Sequence, residues 1–268
     1  MDTDRKRVAI VMNDTLVLQI YFGGLGDHLF YSHIPRIAKE TGAYKKVYIS
    51  NRSPFRSQEY KALIWELNPY VDGFIDAAGI TNRVYGKLDP AKENLLDLIM
   101  LDFGLDDGKR FHEPEVYYTP VIKPDLAQTA LYDPNYVSRI GFFDSRDLEK
   151  VVRERGFVIN AQMALRDRNV PLSSIRRTVS ATSLKDFCSI IASCKEVYCL
   201  TSGTATLAAA LGKPATIFYG VGQPRVFHHS KLHQYVFVPE RPSRKFVRRA
   251  SGLISIIKKQ LFAPEQND

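Results

Sequence analysis

Apolar residues recur along this chain in short blocks whose period switches between two and about 3.6, the alternation of strands and helices. In the first half, residues 8–12 and 16–21 are β-branched and apolar and predict strands. A glycine-rich turn follows, Phe22-Gly23-Gly24-Leu25-Gly26, and then Leu29, Phe30, Ile34 and Ile37 fall at helical spacing, predicting a helix over 27–41 stopped by Gly42. A strand is expected at 47–50, an amphipathic helix at 58–67 closed by Asn68-Pro69, and a short strand at 71–75. A further segment is readable at 95–103. Prolines 114, 120, 124 and 134 and many charges then break the pattern, so 106–135 reads as irregular linker. The division expected there gives an N-terminal unit over 1–125 and a C-terminal unit over 126–268.

The second half resumes the alternation, with strands predicted at 139–143, 157–160, 197–200 and 215–219 and helices at 146–155, 184–193 and 205–211. Two successive β/α units imply an α/β protein with two Rossmann-like parallel sheets and a ligand crevice at the strand carboxyl ends.

Composition changes this picture only at the margins. The 268 residues suffice for one large or two small domains. No apolar run reaches the roughly 18 residues of a membrane span, and the N-terminus lacks the plan of a secretory signal, so a cytoplasmic location is expected. Cys188, Cys194 and Cys199 read as buried thiols. The net charge of +8 suits an anionic partner such as a nucleotide diphosphate, a phosphorylated glycan, a phospholipid or nucleic acid. Nucleic acid is disfavoured, because no basic strip is interleaved with aromatics for stacking bases.

Two loops carry candidate chemistry. Gly23-Gly24-Leu25-Gly26-Asp27-His28 lies between a strand and a helix, where free N–H groups and the helix dipole favour negative charge. Asp27 is either a helix cap or a general base taking a proton from an attacking hydroxyl. The other loop, Thr201-Ser202-Gly203-Thr204, offers hydroxyls and bare amides at a helix start, either as a phosphate seat or as an ordinary cap. Alanines 205, 208, 209 and 210 let that helix approach the sheet closely.

The stretch from Ser183-Leu184-Lys185-Asp186-Phe187 through Leu200-Thr201-Ser202-Gly203-Thr204 to Gly212-Lys213-Pro214 resembles the donor-binding region of glycosyltransferase family 9, the ADP-heptose:lipopolysaccharide heptosyltransferases and their relatives. Gly24-Leu25-Gly26-Asp27 is similar to that family's N-terminal signature. The resemblance implies a GT-B fold, two Rossmann-like domains facing across a cleft, and an inverting transfer without metal or other cofactor. It implies Asp27 as base and Ser202, Gly203 and Thr204 as holders of the donor diphosphate. Where the family carries Asp-Thr-Gly and a following histidine, this chain has Thr201 and Thr206. The implied activity is transfer of a sugar from a nucleotide sugar to a glycan or glycolipid hydroxyl in bacterial surface polysaccharide synthesis. Nucleotide-sugar epimerisation or hydrolysis, and nucleotide-sugar binding without catalysis, are the alternatives.

Secondary candidates surround these loops. Arg166, Arg168, Arg176 and Arg177 offer charge to a diphosphate, with Arg166 chosen for the donor site. Gly220, Gly222 and Gln223 follow a strand and are placed to meet the donor's base or ribose. Arg52 and Arg56, after another strand, and His28 are placed on the acceptor side of the cleft with Gly24 and Gly26. His228, His229 and His233 lack a carboxylate or cysteine completing a metal set. Residues 241–259 hold seven basic residues and no acidic one, with apolar residues at helical spacing. That is either a peripheral membrane contact near a lipid-linked acceptor or a final packed helix with a solvated face.

Overall fold

The computed structural model describes residues 14–81, 89–138 and 140–241. The strand expected at 8–12 and most of the basic segment at 241–259 lie outside the described residues.

Two wholly parallel sheets organise the chain. The first has order β1-β2-β3 and consists of Thr15–Leu18, Lys46–Ser50 and Gly73–Ile75. Leu16, Leu18, Val47 and Ile49 are completely buried and, being register partners two residues apart, form one covered face of this sheet. The helix expected at 27–41 divides into α1 (Leu25–Leu29) and α2 (Ile34–Glu40). Pro35 explains the division: it has no N–H for the carbonyl of residue 31, and its ring clashes with that turn. The amide of Ile34 instead reaches Tyr31 O at 3.1 Å. The helix expected at 58–67 starts as α3 (Gln58–Tyr60) and widens into a π-helical turn over Lys61–Glu66, which carries Trp65 fully into the core. α4 (Leu95–Asp102) falls where expected.

The second sheet has six strands in the order β6-β5-β4-β7-β8-β9. The irregular reading of 106–135 is corrected at its end, where Ala130–Asp133 forms the fully buried β4 at the sheet centre. No strand forms over 140–143. Gly141 takes φ +96 there, a left-handed turn, and Phe142 makes only an isolated bridge to Val221. After α5 (Ser145–Glu154), β5 occupies Ala161–Met163 rather than 157–160. Phe157 instead packs edge-on against Tyr198 and Phe218 as the chain re-enters the sheet, and Val158 is exposed. β6 (Thr178–Val179), α6 (Leu184–Ser193), β7 (Glu196–Leu200), α7 (Gly203–Ala210), β8 (Thr216–Gly220) and β9 (Gln234–Val238) complete the unit.

The order of this second sheet fixes where a ligand belongs. From β4 the chain winds outward through β5 and β6, then returns to the other side of β4 and winds outward through β7, β8 and β9. The winding reverses between β4 and β7. In open parallel sheets the loops there diverge to opposite faces and leave a crevice at the carboxyl ends.

The halves meet through α1 and α7. A Cβ on Gly26 would lie 3.3 Å from Gly203 Cα, and one on Gly203 would lie 3.1 Å from the Gly26 amide nitrogen. One buried cluster runs through both halves, joining Leu29, Ile34 and Trp65 to Phe187, Leu207 and Ala208. Among the described residues, no helix is long and apolar enough to cross a membrane.

Candidate active site

The two loops singled out in the sequence are brought against each other. Gly24 caps α1, and its amide donates to Asp27 Oδ2 at 3.0 Å. Asp27 therefore caps the helix. Its carboxyl is raised above the ordinary range, because burial outweighs the Gly24 amide and the charge of Arg56, which both favour the ionised form. Arg56 is exposed and fixed through its own amide, which donates to Gly23 O at 3.0 Å. Arg52 is exposed just beyond the carboxyl end of β2, with its amide on Ser50 Oγ at 3.2 Å.

His28 is not available to an acceptor. It is completely buried and stacked on Phe55 with ring centroids 4.4 Å apart. Nδ1 accepts the Trp65 indole N–H at 3.0 Å, which leaves Nε2–H to donate to Pro54 O at 2.9 Å. Burial lowers its pKa to about 4, so it is a neutral anchor that ties the Asp27 turn to the 50–56 loop.

Across from it, Ser202 caps α7 and accepts the Thr204 amide at 3.4 Å. Gly203 and Thr204 occupy the first turn, where amides have no intrahelical partner. Thr201 is buried and its hydroxyl reaches Phe218 O at 3.4 Å. The absence of a Cβ at Gly203 is what lets α1 approach this end of α7. His233 braces the helix from below: its Nε2–H donates to Ala205 O at 2.8 Å, and its Nδ1 accepts the Ala215 amide at 3.2 Å.

One residue that sequence reading missed joins these groups. Asp133, at the carboxyl tip of β4, is 5% exposed. Its Oδ2 accepts the Thr204 hydroxyl at 2.5 Å, and its Oδ1 accepts both the amide and the side-chain N–H of Asn135, at 3.1 and 2.8 Å. Burial raises its pKa, opposed by Thr204, by Asn135 and by the charge of Arg166. The available signal was Leu131-Tyr132-Asp133-Pro134-Asn135, an apolar pair running into turn residues, the mark of a strand end. Arg166, beyond β5, is exposed and joined to the same corner by its amide, which donates to Asn135 Oδ1 at 2.8 Å.

Gly220 does not stand open to a donor. It is buried, its amide donates to Ile140 O at 2.9 Å, and a Cβ there would lie 2.5 Å from Phe143 Cδ1. Gln223, in the turn after β8, holds a buried Oε1 without a hydrogen-bond partner beyond the carboxyl end of that strand, a group that a ligand hydroxyl or amine would satisfy. Of the three late histidines, His233 braces α7, His228 stacks on Tyr235 at 4.1 Å, and His229 is buried. Among the described residues, no group of three or more His, Cys, Asp or Glu is arranged to hold a metal.

No protein-family model and no curated protein matches the chain. Solved structures do. The glycosyl transferase family 9 protein from Veillonella parvula DSM 2008 superposes with a TM-score of 0.55 at 9% identity, over 89% of this chain and 89% of its own. The ADP-heptose lps heptosyltransferase II of E. coli gives 0.54 at 12% identity, over 84% of this chain and 90% of its own. TibC of enterotoxigenic E. coli is a dodecameric iron-containing heptosyltransferase solved with ADP-D-β-D-heptose. It gives 0.55 at 11% identity, over 82% of this chain and 61% of its own. The chain therefore has the α/β, GT-B type of fold that the resemblance implied.

Proposed function

We propose that this protein is an inverting, metal-independent glycosyltransferase that moves a sugar from a nucleotide-sugar donor to a glycan or glycolipid hydroxyl in bacterial surface polysaccharide synthesis. The observation that carries the reading is the seating of Ser202, Gly203 and Thr204 at the winding reversal between β4 and β7, with Asp27 held against them by the Gly26–Gly203 contact. The fold is that of solved glycosyltransferases, one of them holding a nucleotide sugar.

In this reading the α7 amides and Arg166 hold the donor diphosphate. They stabilise the charge that grows on it as the glycosidic bond breaks. Asp27 takes the proton of the acceptor hydroxyl as that oxygen attacks the anomeric carbon from the opposite face, inverting it. Burial of Asp27 raises its basicity toward this task, opposed by the Gly24 amide and the charge of Arg56. Arg52 and Arg56 are placed for an anionic acceptor. The leaving group is stabilised by the chain's own amides and guanidinium, and the step needs no metal.

The test has two arms. A thermal-shift panel of ADP, GDP, UDP and CMP sugars should give stabilisation by one nucleotide class. Transfer from that donor should then fall by about 10²–10⁴ in Asp27→Asn. Full transfer by that variant would remove Asp27 as base. Release of free sugar without dependence on an acceptor would mark a hydrolase instead.

A further inference from the structure

The Asp133–Thr204 contact sets a carboxylate directly behind the proposed phosphate seat, which is an odd place for a negative charge. Asp133 is nearly inaccessible, and both its oxygens are engaged: Oδ1 by two N–H donors of Asn135, Oδ2 by the Thr204 hydroxyl. The Asn135 donors fix Oδ1 as an acceptor. Only the Oδ2 side can change. With Asp133 ionised, the Thr204 O–H must donate to it, and Thr204 turns only lone pairs toward an anion on α7. With a proton on Oδ2, that bond reverses: Oδ2–H donates to Thr204 Oγ1, and the threonine hydroxyl is released to donate to a phosphate oxygen.

We propose that Asp133 is a proton-gated positioning residue for this seat: binding of a diphosphate takes up one proton on Asp133 and reverses its hydrogen bond with Thr204. The inference rests on the donor-seat reading and deepens it. A second negative charge brought to this buried corner favours the neutral carboxyl. The other titratable groups around Asp133 are Arg166 from the loop after β5, Tyr132 beside it on β4 and Cys199 on β7. Burial raises Tyr132 and Cys199 far above their ordinary values, so both stay neutral; α7 faces Asp133 with the Thr204 hydroxyl. Asp133 is then the group at this corner that changes charge. Affinity for the anion is full below the pKa of the free site and is lost as pH rises through it, by up to about tenfold per pH unit.

The probe is ADP-glucose, whose two phosphates each carry one charge throughout the neutral range, so that the ligand itself does not titrate. Calorimetry on the whole protein between about pH 5 and pH 9, in two buffers of different ionisation enthalpy, should show weakening with pH and uptake of up to one proton. Asp133→Asn mimics the protonated state: its Nδ2 donates to Thr204 while its Oδ1 keeps both Asn135 contacts. It should bind ADP-glucose without pH dependence and, at the alkaline end, more tightly than the unmodified protein. Thr204→Val should bind more weakly and with a shallower slope, because the charge of the anion still acts on Asp133 while the hydrogen bond that reverses is gone. Constant affinity and no proton uptake in the unmodified protein, or an unchanged slope in Asp133→Asn, overturns the proposal while leaving the seat. No binding by any form at any pH overturns the seat and the proposal with it.

Discussion

His28 gives a prediction that separates its anchoring role from a catalytic one. The buried imidazole is neutral in the folded protein, with a pKa lowered to about 4 by burial, against an ordinary value of 6.5. A depressed histidine leaves the folded state binding fewer protons than the unfolded chain, so its contribution is full above the unfolded pKa and declines as pH falls toward the folded one. Between pH 7 and pH 5 this single site should remove about 2 kcal/mol of stability. His28→Gln tests it. The Gln amide keeps a donor and an acceptor but loses the ring that stacks on Phe55, so the variant should be less stable at pH 7 by about 1–3 kcal/mol. The variant lacks the titrating group, and the gap should close by about 2 kcal/mol at pH 5. Urea unfolding of both proteins at the two pH values measures the gap directly. A gap of the same size at both would refute the neutral-anchor assignment, whatever the other buried histidines do.

The contacts support three further expectations. Gly203→Val places branched carbon where a Cβ is already 3.1 Å from the Gly26 nitrogen and 3.2 Å from Leu25 Cβ; unfolding should show a loss of about 1–3 kcal/mol and transfer should fall by about 10²-fold, since the two loops are pushed apart. Arg166→Ala, at an exposed position, should leave the melting temperature unchanged and weaken nucleotide-diphosphate binding by about tenfold or more in calorimetry. Gly220→Ala meets Phe143 Cδ1 at 2.5 Å and Phe142 N at 2.9 Å, and should cost about 2 kcal/mol in denaturant unfolding.

What the sequence made legible was local. Glycines and hydroxyls next to a strand end and a helix start are read from neighbouring positions, so Gly24–Asp27 and Ser202–Thr204 stood out. Asp133 did not, because its meaning comes from Thr204, 71 positions away, and its strand is four residues long among prolines. His28 was ambiguous for the same reason: the indole that fixes its tautomer lies 37 positions on. The split between α1 and α2 was readable from Pro35, but the apolar spacing across it suggested one helix. Gly220 looked open because nothing local signals that Gly141 and Phe143 fold over it. β9, Gln-Tyr-Val-Phe-Val, had the composition of a strand and was passed over beside the histidines. Arg166 was a charge among several until topology set it beside Asn135.

The backbone contact between Gly26 and Gly203 also governs how the protein can move. Any rocking of one half on the other that preserves this contact uses it as the pivot. Points near a pivot travel little while distant points sweep through large arcs. Asp27 and Ser202–Thr204 lie beside it and so move little against each other. The geometry between the Asp27 carboxyl and the start of α7 is thus insulated from such rocking.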